Sequence, residues 1–302
     1  MSNENEVQVL DNTALSLITK AEIDIQISTA KAFPRDLKKS IDNTLVMATL
    51  SQEVAENCVY SLPRGSKTLD GPSVRLAEIV VSCFGNIRAG ARIIANDGKT
   101  VTSQGICHDL ETNSCVTIEV KRSILQNEYK NGQRTGKMVT MNEDMQVVTG
   151  NAANAIAFRN AVFKTVPAAL IDPIFQKVKA TAKGTLDTLA TRRDKAIKWF
   201  NGKSVTNEAI ADHFGISTIE QIDLDILSTL SGYKSSVLND GADIEEIFKV
   251  VEPAKEVPSA KVFKQLKDGI KAATVTMDQV KSKYEITPDQ VAELQAIQPE
   301  IK

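Results

Sequence analysis

Three short stretches, residues 87–95, 100–108 and 115–124, follow one another through connections of a few residues, and this run constrains the fold more than any other part of the chain. Neighbours joined so tightly can pair only antiparallel, because a parallel pair needs a crossover of a dozen residues or more. The first turn, Asn96-Asp97-Gly98, supplies residues that tolerate positive φ, and Glu111-Thr112-Asn113 makes the second. The expected product is a three-stranded β-meander. Arg88 and Arg92 are four apart in its first strand and so share a face, where a phosphate chain or a cross-strand partner such as Glu119 can meet them.

Helices flank this meander on both sides. Residues 72–84 carry Asp70 or Gly71 as a cap, Pro72 at the first helical position and Gly85 as the stop. In that helix Arg75, Glu78 and Ser82 form one narrow polar stripe on an otherwise apolar surface, which predicts a mostly buried helix. Residues 144–166, ended by Pro167, read as a long helix with Gln146, Thr149, Asn151, Asn154, Asn160 and Lys164 on one side. Arg159 falls on the opposite side, beside Val148, Ala152, Ala155 and Phe163. A lone arginine among apolar residues must find an anion.

Other segments are less regular. Residues 22–28 alternate Ile23, Ile25 and Ile27 with polar residues, the pattern of a short strand, and residues 34–62 suit one or two amphipathic helices. Residues 126–140 are polar, hold two glycines and carry Lys130, Arg134 and Lys137 beside Tyr129, so an exposed, mobile loop is expected. Toward the C-terminus TNEAIADHFGIS at 206–217 and TMDQVKSKYEIT at 276–287 form an internal repeat at an offset of 70 residues. Each copy is expected to be a capped helix, a turn and a second short helix, with a proline-bearing linker between the copies.

Charge separates these regions. Residues 31–200 hold 24 Lys and Arg against 16 Asp and Glu, whereas residues 1–30 hold 1 against 5 and residues 201–302 hold 11 against 17. A basic body with acidic flanks points to a polyanionic partner for the body. No run of about 18 apolar residues and no basic-then-apolar leader is found, so neither a membrane span nor a secretory signal is expected and the reading is cytoplasmic.

Several chemistries fit poorly. Cys58, Cys83, Cys107 and Cys115 occur singly and predict buried reduced thiols, while the adjacent Cys107-His108-Asp109 cannot all point one way along a strand to bind a metal. Gly65-Ser66-Lys67-Thr68 has the tail of a phosphate-binding loop, but Tyr60 stands where its first glycine belongs. No nucleophile, acid–base pair or metal set stands out, so no catalytic residue, no metal and no cofactor is assigned and the chain is read as no enzyme. Residues 206–222 partly fit a helix-turn-helix, yet there is no Lys or Arg from 204 to 233, and an acidic recognition helix is repelled by a DNA groove.

The stretch LPRGSKTLDGPSVRLAEIV, the meander to VTIEVKRSI and the helix NAANAIAFRNAVFKTVP together resemble the phage-type single-strand annealing proteins of the RecT, Redβ and Erf group. The resemblance covers about residues 41–183 and rests on order and texture. It implies an α+β fold with a β-β-β-α annealing core (helix, three-stranded antiparallel meander, long helix), followed by small all-helical C-terminal modules. It further implies ATP-independent binding and annealing of single-stranded DNA by a homo-oligomer, either a ring or a helical filament. The phosphate ligands it implies are Arg64, Lys67, Arg75, Arg88, Arg92, Lys130, Arg134, Lys137 and Arg159, with a single-strand-binding protein or exonuclease recruited by the acidic C-terminal modules and the host cytoplasm as the location of a phage-encoded protein. The expected divisions are a flexible acidic N-terminus at 1–20, the annealing domain at 21–190, an acidic helical module at 191–250, a linker at 251–261 and a second module at 262–302. Two other readings stay open: a phage structural or assembly protein that oligomerises through its basic domain, and an enzyme acting on DNA with a divalent metal.

Overall fold

The computed structural model describes residues 12–64, 67–130, 133–248, 258–272, 275, 277, 280, 284 and 286–295. The chain divides into two units, Met1–Phe248 and Lys249–Lys302. In the first, helices α1 (Asn12–Ala32), α2 (Leu37–Ala48) and α3 (Gln52–Asn57) precede a hairpin of β1 (Val59–Arg64) and β2 (Lys67–Pro72), and α4 (Val74–Phe84) leads into the meander. The meander is β3 (Ile87–Asn96), β4 (Thr100–Asp109) and β5 (Ser114–Ser123), all antiparallel and in that spatial order. A second hairpin, β6 (Leu125–Lys130) and β7 (Gln133–Thr140), runs through two residues into the long helix α5 (Glu143–Thr165). Helices α6 (Ala168–Lys183), α7 (Leu186–Asn201), α8 (Asn207–Phe214), α9 (Leu224–Asp240) and α10 (Ile244–Phe248) complete the unit.

The mixed α+β class and the three-stranded meander agree with the sequence reading, and α5 begins and ends within one residue of the predicted helix. Alternation decides which face of the sheet is covered. In β4, Val101, Ser103, Gly105, Cys107 and Asp109 point inward and are buried, while Ile106 on the other face is exposed. Helix α5 lies across the inner face so closely that a Cβ on Gly105 would stand 2.2 Å from the Ala157 carbonyl oxygen. Beside that contact the Ser103 hydroxyl donates to Asn154 Oδ1 at 2.6 Å. The main core then forms where α4 (Leu76, Val80), α5 (Val162) and α6 (Ile174, Val178) meet Cys58 and Cys107. Burial pushes the Cys58 thiol up to about 12 and raises Cys107 as well, so both sulfurs are packing groups rather than nucleophiles. Cys115, by contrast, is exposed.

Four local expectations are corrected. Residues 22–28 are part of α1, not a strand. The segment 12–32 has no glycine or proline, so helix propensity wins over a seven-residue alternation. Pro72 is the last rung of β2, opposite Val59, and the cap of α4 is Ser73, whose hydroxyl accepts from the Arg75 N–H at 3.2 Å. Proline suits a strand end, where no N–H is required, and its fixed φ fits either position, which is why the sequence alone misplaced it. Most of 126–140 pairs as the two strands β6 and β7 instead of forming an open loop, while residues 131–132 lie outside the described residues. Finally, residues 191–248 are not a separate module. Helix α9 packs on β1, with a Cβ on Gly232 destined to fall 2.0 Å from Ser61 Oγ, and the Ser236 hydroxyl donates to the Ser61 carbonyl at 2.7 Å.

Thr206 caps α8 by accepting from the Ala209 N–H, and Gly215 ends it in the left-handed region, as the first repeat copy requires. A 3-10 turn, Ile219–Gln221, stands where a second short helix was expected. In the second unit, helices α11 (Ala260–Lys271) and α12 (Pro288–Gln295) are described. The last two residues of the expected linker thus belong to α11, and 251–257 lie outside the described residues. Of the second copy, Val280, Tyr284 and Ile286 pack with Ile270 and Leu294, at positions matching Ile210, Phe214 and Ile216 of the first; most of 276–285 lies outside the described residues.

Candidate nucleic-acid interface

The β1–β2 hairpin is anchored at its base, and its outermost described rung is exposed. At the base the Tyr60 ring lies over Gly71, where a Cβ would come within 2.5 Å of it. Next to them Ser61 donates to Asp70, Asp70 pairs with Lys179 at 2.9 Å, and the Thr68 hydroxyl lies 3.4 Å from the Tyr233 hydroxyl of α9. Arg64 and Lys67 are opposite each other on the outermost described rung, both exposed. Neither forms an ion pair with a described residue. Two cations held side by side on a strand pair, with no described carboxylate to neutralise them, offer direct ligands for a phosphate.

The other predicted cations are spread over three further places. Arg75 sits on the exposed stripe of α4 and is bonded to Glu78 at 2.9 Å, an exposed i,i+3 pair worth a few tenths of a kcal/mol. Arg88 and Arg92 share the outer face of the meander, as their spacing predicted. Arg88 is half-buried and donates to Gln26 of α1 at 3.1 Å, whereas Arg92 is exposed and is separated from Glu119 by Gln104 of the central strand. Lys121, on the neighbouring exposed row of β5, joins that face. The sequence reading passed it over, although its even spacing from Glu119 on the strand places it there.

The β6–β7 hairpin carries the last group. Its root is tied to the sheet where Met141 N–H donates to the Ile124 carbonyl at 2.8 Å and the Thr140 hydroxyl to the Gly98 carbonyl at 3.1 Å. The β3–β4 turn beneath it is held by Asp97, whose carboxylate accepts from the Thr100 and Lys99 N–H groups and the Thr100 hydroxyl. Those bonds hold its carboxyl down at about 2. Along the hairpin Lys137 is exposed, Lys130 is exposed 3.9 Å from Glu128, and Arg134 pairs in register with Tyr129, its side chain lying outside the described residues.

Arg159 does not belong with these. It is 8% exposed, its guanidinium lies 4.3 Å over the Tyr60 ring, and Nη1 bonds Asp240 of α9 at 2.5 Å. The anion it had to find is this carboxylate, so it is a buried link between α5 and α9. Burial raises the Asp240 pKa against the pull of Arg159 and Arg122.

Between α4, α5 and α9 runs a groove of about 500 Å³. Val148, Ala152, Ala155 and Phe158 of α5 make its floor, with Arg75 on one wall and Leu238 on the other. Val148, expected on the covered side of the long helix, is thus left open to solvent. Among the described residues no group of three or more His, Cys, Asp or Glu is placed to hold a metal ion, and no helix is long and apolar enough to cross a membrane. No family model, no curated protein and no solved structure matches the chain.

Proposed function

We propose that the Met1–Phe248 unit binds single-stranded DNA by its phosphates and anneals complementary strands without ATP, as a homo-oligomer acting in phage-type recombination. The observation that carries this reading is the exposed pair Arg64 and Lys67 at the end of an anchored hairpin, unmatched by any described carboxylate. Further support comes from Arg92, Lys121, Lys130 and Lys137, which are exposed on the sheet face and the second hairpin. Cations on projecting strands grip a backbone and leave the bases free to pair, which is what annealing requires. An aromatic content of 5% fits a backbone grip better than a row of stacking platforms. The C-terminal helical segments at 191–250 and 262–302 are the parts assigned to recruiting a single-strand-binding protein or exonuclease.

The test is a fluorescence-anisotropy titration of labelled single-stranded and duplex oligonucleotides at several salt concentrations, without nucleotide or metal. Salt-sensitive binding that favours the single strand is the expected result, and a strand-annealing assay follows it. Absence of binding at low salt removes the reading and leaves in its place an assembly protein that oligomerises through the same basic domain.

A further inference from the structure

Tyr129 and Met138 are large side chains that the β6–β7 hairpin leaves 52% and 55% exposed. Tyr129 is one of two exposed aromatic side chains among the described residues, the other being Phe33 just beyond α1, and it alone lies on a strand pair that carries candidate phosphate ligands. Alternation sorts its neighbours. In β6, Asn127 and Tyr129 point to one face, while Glu128 and Lys130 point to the other and stand 3.9 Å apart there. Met138 is opposite Asn127 in the register and so shares the face of the tyrosine. Between these rungs the register shifts: residues 135–137 of β7 stand against Glu128 alone, and Gly136 takes a φ of +76°. Such a bulge bends its strand and re-aims the side chains beside it.

We infer that the Tyr129 ring stacks on a base of the bound single strand, with Met138 beside the stacked pair. The inference rests on the DNA-binding function proposed above and adds a base contact to its phosphate contacts. Charge selects this occupant. A ring exposed to water gains from any flat apolar partner, but the cations around this one favour a partner that is also an anion. Lys130 follows Tyr129 directly and its side chain is 72% exposed, Lys137 is exposed next to Met138, and Arg134 is in register with the tyrosine, against the single carboxylate of Glu128. A nucleotide carries its phosphate and its flat base on different sides of the sugar, so one nucleotide meets a lysine and the ring of the same hairpin together. Every base has a π-face, hence the contact is indifferent to sequence, as the annealing of any complementary pair requires. One ring holds one base per copy and leaves the neighbouring bases open, which agrees with the low aromatic content.

The experiment titrates the full chain, as wild type, Tyr129→Ala and Tyr129→Phe, into a labelled single-stranded oligonucleotide and into an abasic strand of the same length, which has the same phosphates and no bases. Tyr129→Ala is expected to weaken binding of the base-bearing strand at least about five-fold and to leave its salt slope unchanged, because no phosphate contact is lost. Tyr129→Phe is expected to bind as the wild type does, since stacking uses the ring and not the hydroxyl. On the abasic strand the wild type and Tyr129→Ala are expected to bind equally. As a second measurement, Tyr129→Trp in a Trp199→Phe background is expected to lose emission when the base-bearing strand is added and to keep it with the abasic one. A wild type that binds neither strand overturns this inference together with the proposed function. Tyr129→Ala that binds as tightly as the wild type, loses affinity equally for both strands or flattens the salt slope overturns the inference alone, and so does a tryptophan whose emission does not distinguish the two strands.

Discussion

Arg159 of α5 and Asp240 of α9 meet at 2.5 Å with 8% and 4% of their surfaces exposed, and Asp240 Oδ1 has no hydrogen-bond partner among the described residues. Breaking such a pair strands the surviving charge in the interior. Asp240→Ala is therefore expected to lower stability by about 3–5 kcal/mol in a urea titration, while the apolar replacement Arg159→Met with Asp240→Leu recovers most of the loss. If the double variant is as unstable as the single, the pair is more than an electrostatic match. Because burial raises the Asp240 pKa above its ordinary 3.8, its contribution to stability is fullest below that value and declines as pH rises through the raised one.

Asp97 has the opposite sign. Its carboxyl is held at about 2 by the Thr100 and Lys99 N–H groups and the Thr100 hydroxyl, below its ordinary 3.8. The stabilisation is present above 3.8 and is lost as pH falls toward about 2. Asp97→Ala is expected to flatten the stability-versus-pH curve across that window and to loosen the turn under the β6–β7 hairpin. An acid limb identical to that of the wild type counts against the turn as the source.

Gly105 and Gly71 are both close-approach glycines, but they differ in what blocks them. A Cβ on Gly105 would meet the α5 backbone at 2.2 Å, whereas on Gly71 it would meet the Tyr60 ring at 2.5 Å. A ring can turn, although the Arg159 guanidinium stacked on it resists that, and a packed helix backbone cannot. Gly105→Ala is expected to cost more than the usual overpacking penalty of about 1–3 kcal/mol, and Gly71→Ala to stay within it. Denaturation midpoints of the two variants rank them.

The sequence was most legible where one period dominated. The meander, the exposed stripe Arg75, Glu78 and Ser82, and the α5 boundaries followed from alternation, spacing and capping residues. It was least legible where partners decide. The strand pattern at Ile23, Ile25 and Ile27 lies inside a 21-residue helix free of glycine and proline, whose propensity outweighs a seven-residue alternation, and the β1–β2 hairpin went unseen because Pro63 and Pro72 obscure its short strands. For the candidate site, the types and positions of the cations could be read but their partners could not. Arg64 and Lys67 read as candidate phosphate ligands, but only the register shows that they stand opposite each other, and nothing local told Arg159 that its anion lies 81 residues away on α9.

That contrast between cations yields the last prediction. Arg64 and Lys67 are exposed without a described counter-ion, Arg75 already holds Glu78, and Arg159 is closed off by Asp240. Each phosphate contact on a single strand contributes about 0.7 to the log–log salt slope, so Arg64→Ala with Lys67→Ala is expected to weaken oligonucleotide binding and reduce the slope by about 1.4. Arg75→Ala should change the slope by less, because freeing Glu78 adds a negative charge as well as removing a positive one. Arg159→Met should lower stability and leave the slope unchanged in whatever fraction remains folded. A slope that falls for Arg159→Met but not for the hairpin pair would move the phosphate path from the projecting hairpin to the α5–α9 seam.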